Sequence, residues 1–233
     1  MTVVTAPHAE GLLLELTSAP AAVAGEVAAW YDDARLPAHL GVPGCERAGR
    51  YEDAEMPAAA LAACHFAAGA LDRIEREPAL RPQPADPGRV GERLFRFERR
   101  VYRLLGAYQH TQTPPPGGGD PVLLAVWWEP QPGTEADLDR WYAEEHIPRL
   151  LDVPGWIRIS RYERTGGTGP RFLALHDLWD AAAMASPAHR AALDTPWRTK
   201  VITQREQYER RVFLLRRELT AVLHPGSPQA PEK

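Results

Sequence analysis

Several things are scarce in this chain, and each scarcity excludes something. Two cysteines, Cys45 and Cys64, in 233 residues are too few for a disulfide framework, so a reduced, cytoplasmic setting is expected. No apolar run approaches the roughly 20 residues of a membrane-crossing helix. Met1 to Glu10 lacks a basic stretch followed by a long apolar core, so no secretory signal is expected either. Positive charge is not in excess: 27 Lys and Arg against 31 Asp and Glu give a net charge of −4, whereas a nucleic-acid binder shows a basic stripe. There is no Gly-x-Ser-x-Gly elbow, no zinc-type spacing and no dinucleotide fingerprint. Gly117–Gly119 and Gly166–Gly167 lack the strand–loop–helix setting of a phosphate loop. Tryptophan is unevenly placed, since only Trp30 of the seven falls in the first 120 residues. The rest is ordinary: 44% hydrophobic and 25% charged residues describe a globular chain long enough to bury a core.

What is present is a repeat. Displaced by 111 residues, Trp30-Tyr31 falls on Trp141-Tyr142, Pro37 on Pro148, and Val42-Pro43-Gly44 on Val153-Pro154-Gly155. Arg47, Arg50, Tyr51 and Glu52 fall on Arg158, Arg161, Tyr162 and Glu163, and His65 falls on His176. Glu98 to Val101 falls on Glu209 to Val212, and no gap is needed anywhere. Clustered matches in one register point to a tandem duplication. The units are read as 9–110 and 120–221. A Pro- and Gly-rich linker, 111–120, joins them, and a polar flexible tail follows over 222–233.

In the second unit Val122 to Trp128 has the length and composition of a strand. Thr134 is a candidate helix cap, and Leu138, Trp141, Tyr142 and Ile147 make a helical apolar stripe. Trp156 to Glu163 alternates as a strand, Arg171 to Trp179 makes a third, and Asp180 to Gln207 is helical with breaks at Ser186-Pro187 and Thr195-Pro196. Tyr208 to Leu219 carries enough β-formers for a fourth strand, although its charges also permit a helix. The order β-α-β-β-α-β is a ferredoxin-like unit. The expected fold class is therefore α+β: two ferredoxin-like βαββαβ repeats whose sheets cover one another.

The run Trp141-Tyr142-Ala143-Glu144-Glu145-His146-Ile147-Pro148, followed by Val153-Pro154-Gly155 and Arg161-Tyr162, resembles the EthD-like branch of the dimeric α/β-barrel superfamily. The resemblance covers both units and implies an intrachain pseudo-dimeric α/β barrel. It also implies a small-molecule enzyme of secondary or aromatic metabolism, carrying out cofactor-independent cyclisation, isomerisation or dehydration of a polyketide-like or lactone-like substrate. Relatives include small monooxygenases and haem-handling enzymes, so a monooxygenase or haem-dependent enzyme is the alternative, and a non-catalytic ligand-binding barrel a third. In methylmuconolactone isomerase relatives the helix-motif His and the Tyr ending the next strand sit in the active site. Those positions match His146 and Tyr162. Their catalytic cysteine is not matched, because Leu175 and His176 stand there. The first unit has Arg35 at the position of His146, with His39 four residues later.

His146, near neutral pKa, can shuttle a proton. Along the following strand Trp156, Arg158, Ser160 and Tyr162 alternate onto one face, expected to line the barrel interior with Arg47 and Tyr51 of the first unit. An unpaired buried Arg is costly. Arg158, with Arg47, is thus a candidate to hold a carboxylate, enolate or phenolate beside Tyr162, the alternative being an internal Arg–Glu pair. His65 and His176 share one repeat position and read first as a structural bond, second as site residues. Arg35, His39 and Tyr51 are the first unit's candidates. Metal binding by His146 and His176 lacks a third ligand, so no metal is expected, while haem needs one axial His. The expected partner is a small-molecule substrate, with no nucleic acid and no membrane, and a homodimer of whole chains stays open. A single active site is expected in the second unit.

Overall fold

The computed structural model describes residues 9–76, 94–109 and 120–221. The 222–233 tail and all of the expected linker except Asp120 lie outside the described residues. In the first half β1 (Gly11–Ser18) leads through a 3-10 turn into α1 (Ala24–Trp30), a π-helical turn (Tyr31–Arg35) and α2 (Leu36–Leu40). Strands β2 (Cys45–Asp53) and β3 (Ala59–Phe66) follow, then α3 (Leu71–Arg76) and β4 (Arg96–Gln109). The second half repeats the order with β5 (Val122–Pro130), α4 (Glu135–Trp141), a π turn (Tyr142–His146), α5 (Ile147–Leu151), β6 (Trp156–Gly167) and β7 (Phe172–Leu178). Three short helices, α6 (Ala182–Ala185), α7 (Pro187–Leu193) and α8 (Pro196–Thr203), precede β8 (Arg205–Thr220). The charged last segment is thus a strand. The two π turns fall immediately before Pro37 and Pro148, which have no N–H for an i−4 carbonyl and crowd the preceding turn. Thr134 takes the N-cap position of α4, but its hydroxyl bonds back to the Gln131 carbonyl.

The eight strands close into one antiparallel barrel in the order β1-β3-β2-β8-β5-β7-β6-β4. Closure leaves no open sheet edge. The long strands β4 and β8 join the halves: β4 pairs with β1 and with β6, β8 with β5 and with β2. Strand residues alternate between two buried faces, which is why β1 and β5 read as nearly unbroken apolar runs. Leu12, Leu14, Leu16, Leu123, Ala125, Trp127, Tyr162 and Phe213 fill the barrel interior. Leu13, Tyr31, Leu36, Cys45 and Cys64 pack between sheet and helices in the first half, and Leu124, Trp128, Trp141, Tyr142 and Trp156 do so in the second.

Two expectations are corrected. The repeat is not gapless. In the first half Arg47 pairs with His65, and in the second Arg158 pairs with Asp177, one residue beyond the 111 register. The β6–β7 connection carries the extra residue: Glu52 pairs with Ala60, whereas Glu163 pairs with Phe172. His65 therefore corresponds to Asp177, and His176 to Cys64. The shared histidine is a coincidence of register. The second correction concerns Trp156. A β-bulge between Trp156 and Arg158 breaks the alternation, as one between Cys45 and Arg47 does in the first half. Trp156 consequently faces the helices, while Arg158, Ser160 and Tyr162 keep to the inner face.

Candidate active site

Two of the cavities among the described residues are lined by histidine, and they lie on opposite faces of the β6–β7 hairpin. The first, about 230 Å³, lies inside the barrel and is lined by Arg47, Tyr51 and His65 of one half and Arg158, Tyr162 and Asp177 of the other. The arginines and tyrosines expected to share an interior face do meet here. Their charges are largely settled among themselves. Arg158 Nε donates to Asp177 at 2.7 Å, Arg47 lies 3.4 Å from Glu218, and Arg47 Nη2 donates to His65 Nε2 at 3.1 Å. Burial, then Arg47 and Arg158, holds the His65 imidazole well below the usual histidine range. Burial raises the Tyr51 phenol and pushes Tyr162 up to about 12, so both are neutral donors.

The second cavity, about 140 Å³, lies between the second half's sheet and its helices. Its histidines, His146, His176 and His189, come from the π turn, β7 and α7. The His146 ring stacks on Trp141, centroids 4.1 Å apart and planes 20° from parallel, with Tyr142 edge-on at 5.3 Å. Neither ring nitrogen of His146 has a hydrogen-bond partner among the described residues. Burial, with His176, Arg198, His189 and Arg161 around it, keeps this imidazole well below the usual histidine range. It is a neutral base at physiological pH.

The supports around His146 are fixed by hydrogen bonds. Trp141 Nε1 donates to Glu145 Oε1 at 3.1 Å, and Thr195 Oγ1 donates to the same oxygen at 2.6 Å while accepting from the Arg198 amide. Glu145 thus orients the indole on which His146 lies rather than His146 itself. Trp156 Nε1 donates to His176 Nδ1 at 3.2 Å, which leaves the His176 proton on Nε2. Burial, then Arg210 and His189, lowers His176 to about 3. His189 stacks on Trp156 at 5.0 Å and bonds the Met184 carbonyl through Nδ1 at 2.7 Å, so its Nε2 is an acceptor.

His146 and Tyr162, paired in the sequence reading, do not share a cavity: the sheet separates them. Trp156 and His176 join His146, whereas Arg158, Arg47 and Tyr51 join Tyr162. Arg35 and His39 lie in neither cavity. They surround Glu15, which is fully buried: Arg35 Nε donates to its carboxylate at 3.2 Å, His39 Nε2 lies 3.2 Å away and Tyr31 Oη donates at 3.3 Å. Burial would raise the Glu15 carboxyl, but His39 and Arg35 bring it down to about 2. Sequence reasoning missed His189, Arg198, Arg205, Arg210 and Trp128 as members of the site. The Ser186-Pro187 signal could have found the first, because Ser186 caps α7 through the His189 amide. Both cysteines are inert: burial raises Cys64 well above the thiol range and Cys45 to about 12. Among the described residues no three His, Cys, Asp or Glu side chains are grouped to hold a metal ion, and no helix is long and apolar enough to cross a membrane.

This closed barrel of two βαββαβ halves is the dimeric α/β-barrel fold, with both barrel halves in one chain. An anthrone oxidase-like protein has the same fold over 94% of this chain and 95% of its own, with TM-score 0.66 and 13% identity. A candidate monooxygenase from Fusobacterium nucleatum matches over 91% and 95% (TM-score 0.60, 9% identity), and one from Lactobacillus acidophilus NCFM over 91% and 96% (0.58, 8%). A protein described as a candidate chlorite dismutase matches over 89% and 95% (0.51, 12%). No family model and no curated protein sequence matches the chain.

Proposed function

We propose that the chain is a small-molecule enzyme acting on an aromatic, polyketide-like substrate in the histidine-lined cavity of the second half, with His146 as general base and no cofactor. The observation that carries this is His146 itself: a neutral imidazole with no hydrogen-bond partner among the described residues, held flat on Trp141 in a cavity otherwise lined mostly by Trp, Leu, Val and Ile. Aromatic walls bind a planar substrate, and the base takes a proton from an acidic C–H or phenol O–H. His176 and His189, with their protons fixed by Trp156 and the Met184 carbonyl, orient the substrate through His176 Nε2–H and His189 Nε2.

The carbanion formed this way has two fates. Re-protonation at another atom gives isomerisation, cyclisation or dehydration. Reaction with molecular oxygen gives monooxygenation: a CH2 between two aryl rings becomes C=O, one atom of O2 staying on carbon and the other leaving as water with both hydrogens. We favour the second, because the proteins sharing this fold over nearly their whole length include an anthrone oxidase-like protein and two candidate monooxygenases. A tetrapyrrole does not fit a cavity of about 140 Å³, whereas a planar substrate of two or three rings fills it and extends through its open mouth. The halves, 9–110 and 120–221, are taken as diverged copies within the EthD-like branch.

The test is turnover of anthrone by the purified chain, followed by absorbance and an oxygen electrode, in air and under argon. Oxygen uptake matched to quinone formation supports monooxygenation. Turnover of a lactone or polyketide substrate that continues under argon supports the acid–base reading instead.

A further inference from the structure

Among the described residues the histidine cavity is lined by three arginines, Arg198, Arg205 and Arg210, and by no Asp or Glu. Among the described residues none of the three is paired with a carboxylate. Arg198 Nη1 reaches the Leu193 carbonyl at 3.4 Å, Arg210 Nη2 lies 3.2 Å from Met184 Sδ, and Arg205 sits over the Tyr208 ring at 4.7 Å. The contrast with the barrel cavity is direct: there Arg158 and Arg47 each have an acidic neighbour. A second observation is independent of charge. Trp128, 4% exposed, lines the same cavity, and its Nε1–H is buried without an acceptor among the described residues. A buried N–H left unsatisfied is destabilising, so its place in the wall calls for an oxygen acceptor from the occupant.

We propose that the substrate of this site is an aromatic molecule carrying an anionic oxygen, a carboxylate or an ionised phenol, which the three arginines draw in and the Trp128 N–H bonds. This rests on the reading of the cavity as an aromatic substrate site and adds the charge of the substrate. The arrangement agrees with the charged groups that lower His146, Arg198 and Arg161, both being cationic. Before binding, burial first and then Arg198 and Arg161 keep the imidazole unprotonated. A bound anion offsets them and makes His146 a stronger base at the moment a proton has to be taken. The guanidiniums also speed encounter with an anion, an effect that weakens with salt.

The test uses two nearly isosteric probes, 2-naphthoate and 2-naphthamide, titrated calorimetrically into the whole chain at pH 7.5 and at two salt concentrations. Naphthoate is expected to bind at least tenfold tighter than the amide, with the advantage shrinking at high salt. Arg198→Gln with Arg210→Gln should remove that advantage by weakening naphthoate far more than the amide. Trp128→Phe, which keeps a ring and deletes the N–H, should weaken naphthoate severalfold. On NMR titration, bound naphthoate should move His146 protonation to higher pH. Equal binding of the two probes, or a preference that survives loss of both arginines, overturns the anion assignment and leaves the aromatic site standing. Binding of neither probe overturns both.

Discussion

Glu15 and Val126 occupy the same place in the two halves: each pairs across to an alanine of the third strand, Ala62 or Ala174, and to an arginine of the fourth, Arg99 or Arg210. That one difference goes with what fills the space beneath the π turn. A buried carboxylate has to be surrounded by donors, and Tyr31, Arg35 and His39 close around Glu15. Valine asks for nothing, so in the second half the donors are dispensable. Arg35 is replaced by His146, His39 by Leu150 and Cys64 by His176, and the space between helix and sheet stays open. The same backbone, π turn included, thus holds a buried ion-pair cluster in one half and a base facing a cavity in the other.

The largest expected break in this comparison comes from the paired positions Arg35 and His146. His146→Ala should lower turnover by about 10²–10⁴-fold with an unchanged circular dichroism spectrum. Unchanged turnover would remove His146 from the chemistry and favour a binding role for the barrel. Arg35→Ala should instead cost stability, about 3–5 kcal/mol by denaturant unfolding, because it strands a buried carboxylate. Installing the second half's residues together, Glu15→Val with Arg35→His and His39→Leu, removes the charge along with its partners and should recover most of that loss.

Acid sharpens the contrast. An unfolded histidine gains its proton near pH 6.5, whereas native His176 does so only near 3. Between these values the unfolded chain binds more protons and stability falls as pH falls. Glu15, at about 2 in the native chain against 4.5 for the free group, loses its contribution lower down, between those two values. Acid unfolding followed by circular dichroism should therefore begin with the buried histidines, His65 of the first half included, while Glu15→Gln should lower stability at neutral pH and remove the slope between about 2 and 4.5. The smallest effect is expected from Tyr162→Phe. With the sheet between it and His146, turnover should change by less than about tenfold; a larger loss would move the chemistry into the barrel.

The architecture was legible because it is written in repeated punctuation. Trp-Tyr, the prolines after the π turns and the Val-Pro-Gly turns fix helix, turn and strand in both halves. The site was legible only in part. Alternation carries a side chain to the correct face until a bulge intervenes, and the bulge after Trp156 turned that indole away from Tyr162 and toward His146. One added residue in the β6–β7 connection made His65 and His176 look equivalent while placing them on opposite faces. Arg198, Arg205 and Arg210 had no reason to stand out among surface arginines, since their distinction is the absence of acids around them, a property of three dimensions.

The long strands that join the halves have a consequence for how the chain acquires its shape. Strand β2 finds one of its two partners only in β8, and the buried Arg211–Asp53 ion pair, 2.7 Å long, spans 158 residues of sequence. Pairings this distant make folding slow relative to helical proteins of similar size. During synthesis the first half waits with two unsatisfied strand edges, β2 and β4, until β8 and β6 have been made. That interval is when the chain is most open to pairing with a neighbour of its own kind.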